Sequence, residues 1–176
     1  MSDQTVGPRI DELLAVEAAK WVGVKEVGGD NKGPEVEMFQ KSVNGIAVGQ
    51  SWCMDFMQYC IKAVEKEFSL TSPIFRSEHV LTVWNKSPVS MRSTAPEVGY
   101  LMFWQHVGTS NGHVGVVTRV GPKAGVVSTI EGNTGDGEGV VREGDGVYRR
   151  LRACEGTVKM KVLGYMKVFD ETPSKT

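Results

Sequence analysis

The chain has 176 residues, 40% of them hydrophobic and 23% charged, with a formal net charge of −1. That length and apolar content suit one compact domain with a sizeable core and exclude a disordered chain. The near-neutral charge argues against a nucleic-acid or anionic-membrane binder, because such partners leave a basic excess or stripe, and the longest basic cluster, Arg149-Arg150-Leu151-Arg152, reads as a solvated strand edge.

The first residues, MSDQTVGPRIDELL, lack the positive-then-apolar pattern of a secretory signal. Nor does any run approach the roughly 18 to 20 apolar residues that span a membrane. The chain is expected to be made in the cytoplasm, with residues 1–9 as a tail. Arg9 to Val22 then places Ile10, Leu13, Leu14, Ala18 and Trp21 at helical spacing behind Pro8, a first amphipathic helix. A turn follows, and Pro34 to Val43 reads as a second, short helix before the Asn44-Gly45 turn. A third helix begins near Cys53.

After Pro73 the texture changes, and short β-rich runs appear at Val98–Trp104, His113–Val120, Gly125–Glu131, Gly146–Arg152 and Val162–Phe169. Helices followed by strands predict an α+β fold, with N-terminal helices packed on a C-terminal antiparallel sheet, in a single domain over 10–169. The glycine-rich segment Gly132–Gly146 is expected to be a mobile hairpin or loop, and residues 170–176 a frayed tail.

Three cysteines, at 53, 60 and 154, make neither a C-x-x-C pair nor an even disulfide framework. In the third helix Cys53, Phe56, Met57, Cys60, Val64 and Phe68 recur at three- and four-residue intervals and predict one buried stripe. Cys60 lies inside that stripe and reads as a small hydrophobe. Cys53 would be the first helical residue, with Ser51 or Trp52 near the N-cap. The positive end of the helix dipole and its unpaired backbone N–H groups favour thiolate over thiol there and can also stabilise an oxyanion.

A nucleophilic cysteine needs a base, and the base needs an orienting group. His79 reads as a surface or capping residue and His106 as a solvent-facing loop residue. His113 opens a strand whose alternation puts His113, Gly115 and Val117 on one face and Val114, Val116 and Val120 on the other. Gly115 leaves room for an approaching chain. Glu131 and Asn133, two residues apart at a strand end, can share the cleft of His113 or can be plain turn residues. A carboxylate on one imidazole nitrogen fixes the tautomer whose other nitrogen faces the thiol.

In their order these segments resemble the CHAP family, the cysteine- and histidine-dependent amidohydrolases and peptidases of the papain-like superfamily. GDNKGPEVEMFQ at 29–40 is similar to the family's lead-in, SWCMDF to its W-C-x-x-F nucleophile motif, VGYLMFW and NGHVGVV to its strand and G-H-V-G motif, and IEGNT to its E-x-N segment. The resemblance covers residues 10 to 169. It implies a papain-like fold and hydrolysis of an amide bond in peptidoglycan, as an N-acetylmuramoyl-L-alanine amidase or a stem-peptide or crossbridge endopeptidase.

Carried over by residue, Cys53 attacks, His113 is general base and then acid, Glu131 orients and charge-stabilises His113, and Asn133 is a further polar active-site residue. The reaction is acyl transfer through a thioester, with a backbone N–H near Cys53 as an oxyanion donor. Gln50 is a candidate side-chain donor or a loop residue. Trp52, Trp84, Trp104 and Tyr100 are candidates for stacking on substrate or for the core.

Some relatives carry an aspartate-rich calcium loop before the cysteine, whereas VNGIAVGQSW has no acidic residue. No metal is expected there, and no cofactor; Asp30, Glu35 and Glu37, or Asp136, Glu138, Glu143 and Asp145, lack EF-hand spacing. The implied partner is peptidoglycan, met by a monomer, with an immunity protein or delivery machinery as a further partner. With no signal peptide in the sequence, arrival at the wall would follow phage lysis, virion entry or injection. Two other readings stay open: a cysteine hydrolase or acyltransferase on a non-wall substrate, and a catalytically silent phage structural or interaction module.

Overall fold

The first apolar stripe forms a 3-10 turn, Ile10–Glu12, that runs into helix α1, Leu13–Ala19. It stops short of Val22 because the chain turns away to pair with the sheet: the Gly23 N–H donates to the Val147 carbonyl at 3.0 Å. The computed structural model describes residues 7–121, 125–135 and 144–170. Helix α2, Pro34–Asn44, starts on Pro34, whose missing N–H costs nothing in a first turn, and ends at Gly45 in the left-handed region, φ 82°. Helix α3 spans Cys53–Phe68 and a short helix α4 spans Val80–Lys86.

Six strands follow: β1 (Arg92–Ser93), β2 (Leu101–His106), β3 (Gly112–Val120), β4 (Val126–Thr134), β5 (Gly146–Ala153) and β6 (Met160–Met166). They form one antiparallel sheet in the order β1-β6-β2-β3-β4-β5. The fold is α+β, as its helix-then-strand texture predicts. Several boundaries differ from expectation: the strand expected over Val162–Phe169 is β6, Met160–Met166, and two other differences bear on the site. Val98 and Gly99 are a turn, so β2 begins at Leu101; and β4 runs on to Thr134, so Gly132 and Asn133 belong to a strand. Of the glycine-rich segment read as a mobile loop, residues 136–143 lie outside the described residues, as do 1–6 and 171–176 of the two tails.

Helix α3 is the centre of the core. Phe56, Met57, Cys60, Ile61 and Val64 are buried against Phe103, Val114, Val116 and Ile130 of the sheet and against Leu14 and Phe39 of the other helices. Phe68 departs from the expected stripe and is 46% exposed, since it is the last residue of α3, next to Ser69 in the left-handed turn that ends the helix. Met102, Trp104, Val117, Val127, Met160 and Tyr165 form a second buried cluster, on the alternate strand positions. Among the described residues no helix is long and apolar enough to cross a membrane.

One glycine sets how closely the sheet approaches the tip of α3. A Cβ on Gly132 would lie 2.8 Å from the Trp52 ring and 2.9 Å from that of Phe56, so only hydrogen fits between β4 and the first turn of the helix. Gly132→Ala is therefore expected to lower stability by about 1–3 kcal/mol through overpacking. A thermal melt checks this, and an unchanged midpoint would show that the contact is slack.

Candidate active site

Cys53 is the first residue of α3, and Trp52, at the N-cap, caps it with no side chain. Among the described residues no N-cap side chain takes up the first-turn N–H groups, which leaves donors where an oxyanion would form. Cys53 is 6% exposed and lines a cleft of about 670 Å³. Trp52 itself is 0% exposed. Its indole donates to Glu26 Oε1 at 2.8 Å and its ring stacks on Phe39 at 5.8 Å, so it anchors the helix tip and offers no face to a substrate. Trp104 is also buried, and packs on His113 with ring centroids 5.6 Å apart. Trp84 packs on Phe103 and beneath Arg92.

Gln50 lines the cleft. Its backbone carbonyl accepts from Gln40 Nε2 at 2.7 Å, which ties the loop to α2, and its own Oε1 accepts from the Val48 N–H at 3.0 Å. The remaining end, Nε2, reaches Asp55 Oδ2 at only 3.4 Å, so a side-chain donor stays close to the thiol's helix. Asp55 escaped the sequence reading. Burial, then the charge of Glu78, raise its carboxyl to about 7 against the opposing hydrogen bond from Gln50.

On β3, Val114 and Val116 enter the helix-side core while Val117 joins the second cluster, the alternation the sequence predicts. Val120 is exposed beyond the register shift between Val117 and Arg119. His113 is buried; its Nε2 lies 2.7 Å from Glu131 Oε2, and it lines the same cleft as Cys53, whose thiol is near enough to act on the ring's titration. With Nε2 committed to Glu131, the nitrogen left for the thiol is Nδ1. The room beside His113 is used by Glu131: a Cβ on Gly115 would fall 2.4 Å from Glu131 Cγ. Gly115→Ala is expected to displace the carboxylate and slow turnover by roughly ten-fold or more while the chain still folds. Unchanged kinetics in the folded variant would show that Glu131 can shift without consequence.

Glu131 is 0% exposed, and both of its oxygens are occupied. Oε1 accepts from the Thr129 hydroxyl at 2.5 Å and from Arg152 Nε at 2.7 Å, while Oε2 accepts from a second Arg152 nitrogen and from His113. Burial alone would raise this carboxyl; hydrogen bonds from Arg152 and His113 outweigh it and hold Glu131 at about 2. Burial likewise works against a charged His113, but hydrogen bonds to Cys53 and Glu131 carry the imidazole to about 9. The protonated ring is thus the favoured form beside Glu131, which suits His113 to take a proton from the nucleophile and hold it as an imidazolium.

Asn133 reaches the cleft by a different route from the extended one expected. It sits at φ 52° in an irregular stretch of β4 between Glu131 and Thr134. It is 9% exposed, and its Oδ1 is buried without a hydrogen-bond partner among the described residues.

Residues 45–133 match the model of the CHAP domain. The chain belongs to the CHAP family. No curated protein matches it. CHAP membership makes the chain an amidohydrolase or peptidase of the cysteine- and histidine-dependent class. The matched CHAP segment holds Cys53, His113, Glu131 and Asn133, and excludes the lead-in at 29–40, α1, α2, β5 and β6.

The main residue missed outside the CHAP segment is Arg152. The cluster Arg149 to Arg152 read as a solvated edge, and β5 is indeed an edge strand. Yet only Arg149 and Leu151 are exposed; Arg150 and Arg152 point the other way and are buried. The available signal was their two-residue spacing. His79, read as a surface or capping residue, is exposed at the N-cap of α4, and His106, read as a loop residue, is instead the last residue of β2; both line the CHAP cleft. Among the described residues no group of three or more His, Cys, Asp or Glu is placed to hold a metal ion, and Asp136, Glu138 and Glu143 lie outside them.

Proposed function

We propose that the protein is a peptidoglycan hydrolase that cleaves an amide bond through a thioester on Cys53. The bond lies either between the muramoyl sugar and its stem peptide or within the stem peptide and its crossbridge. One observation carries the reading: at the tip of α3 Cys53 shares an open cleft with His113, an imidazole whose Nε2 is held 2.7 Å from a buried carboxylate. The lining of that cleft supports a polar substrate over an acyl chain, since Asn31, Ser51, Thr109 and Asn111 present hydrogen-bonding groups.

In the forward step the Cys53 thiol gives its proton to His113 as the sulfur bonds to the scissile carbonyl carbon, and negative charge gathers on the carbonyl oxygen. Backbone N–H groups at the helix tip, with Gln50 Nε2, stabilise it. The C–N bond then breaks as His113 hands its proton to the leaving amine. Water attacks the thioester, His113 takes its proton, and the C–S bond breaks to release a carboxylate. The substrate lies outside the cytoplasmic membrane, so the chain acts after release, injection or phage-mediated delivery, as a monomer.

Purified protein is expected to clear peptidoglycan in a zymogram. Mass spectrometry of the digest names the bond: a free amine on L-alanine with an intact stem peptide marks an amidase, and shortened stems left on the sugars mark an endopeptidase. A folded protein that releases neither would refute the wall assignment.

A further inference from the structure

Glu131 is held by more than the residue it serves. Arg152, from β5, lays a two-pronged guanidinium along both carboxylate oxygens, packs over the Trp104 ring at 5.5 Å, and is itself buried at the cleft. Trp104 in turn touches His113, so the arginine and the imidazole share one aromatic wall as well as one carboxylate. A fork of this kind fixes a carboxylate's plane as a single ammonium cannot. It also neutralises a charge that would otherwise pull on His113 alone.

We propose that Arg152 is a positioning residue of the catalytic site: it locks the Glu131 carboxylate in one orientation and shares its charge, so that His113 is held in place yet still surrenders its proton to the leaving amine. The role rests on the hydrolase reading above. An imidazolium facing an unshared buried carboxylate would keep its proton too tightly to act as an acid. The arginine supplies the counter-charge that keeps the exchange reversible.

Other titratable groups line the same cleft: Glu78 and His79 from the segment before α4, and His106 from β2. All of them are unchanged when only Arg152 is altered, so a difference between variant and parent isolates the arginine. The ring titrations are followed by NMR on histidine-labelled protein carrying Cys53→Ala, which removes the thiol's own titration and needs no substrate; His79 and His106 serve as internal references.

Arg152→Met is expected to raise the His113 titration by roughly one pH unit, because a cation facing it has gone. An unmoved titration in a folded variant would overturn the proposal, since a merely structural arginine would lower the melting temperature and leave His113 where it was. If Arg152→Met does not fold, Arg152→Lys decides. Keeping the charge without the fork, it should hold the titration within a few tenths of a unit but broaden or lose the deshielded His113 Nε2–H signal. A lysine variant that retains that signal and the parent's stability would show that the fork positions nothing. Wall clearing is scored separately, so a shifted titration in a protein that clears no wall refutes the substrate and not the arginine.

Discussion

Cys53→Ala is expected to abolish wall clearing, a loss of roughly 10⁴-fold or more, whereas Cys60→Ala keeps most of it. The two thiols stand seven residues apart on one helix, and the structure gives them opposite surroundings. Cys53 meets the cleft at the uncapped helix tip, beside His113 and within reach of a substrate. Cys60 is fully enclosed between Tyr59, Glu17 and the core, and burial pushes its thiol well above the ordinary range, leaving it inert as a nucleophile. The clean comparison is activity per folded protein, since Cys60→Ala opens a small cavity and is expected to cost some stability. Near-normal clearing by folded Cys53→Ala would sink the nucleophile assignment. Equal loss in both variants would mean that packing of α3, and not the identity of the thiol, was being measured.

The nucleophile, base and orienting carboxylate were legible because each sits in a short segment whose pattern depends on its local role. Cys53 opens an apolar helical stripe, His113 opens an alternating strand with Gly115 two residues on, and Glu131 ends another strand. Arg152 was not legible, because what distinguishes it from Arg149 is the face of β5 it takes, and that is set by pairing with β4: Thr129 opposes Arg150, and Val127 opposes Arg152. Trp52 misled for the reverse reason. An aromatic beside a nucleophile suits a substrate platform, but the approach of Gly132 and the hydrogen bond to Glu26 turn its ring into the core. Asp55 stayed hidden because a lone aspartate in a first helical turn normally needs no explanation beyond the helix dipole.

Glu131→Gln carries the second large effect, on both pH dependence and stability. The two shifts run in opposite directions. Glu131 is held at about 2 against an ordinary 4.5, so its contribution to stability is present above about pH 4.5 and is lost as the pH falls towards 2. His113 is carried from 6.5 to about 9, so its contribution is complete below about pH 6.5 and is lost as the pH rises through 9. Both contributions coexist fully only between those ordinary values. Catalysis needs the imidazolium when the amine leaves, so turnover by the parent should decline through about pH 9. In Glu131→Gln the hydrogen bond to His113 can persist while the charge does not; the alkaline limb should move down by on the order of one pH unit, with turnover at neutral pH reduced roughly 10- to 100-fold. The substitution also strips the buried guanidinium of Arg152 of its counter-ion, a loss of about 3–5 kcal/mol, so the variant should melt well below the parent. A pH–rate profile and a thermal melt on the same preparation separate the two effects. An unmoved alkaline limb in a destabilised but folded variant would mean that Glu131 serves Arg152 and the fold rather than His113.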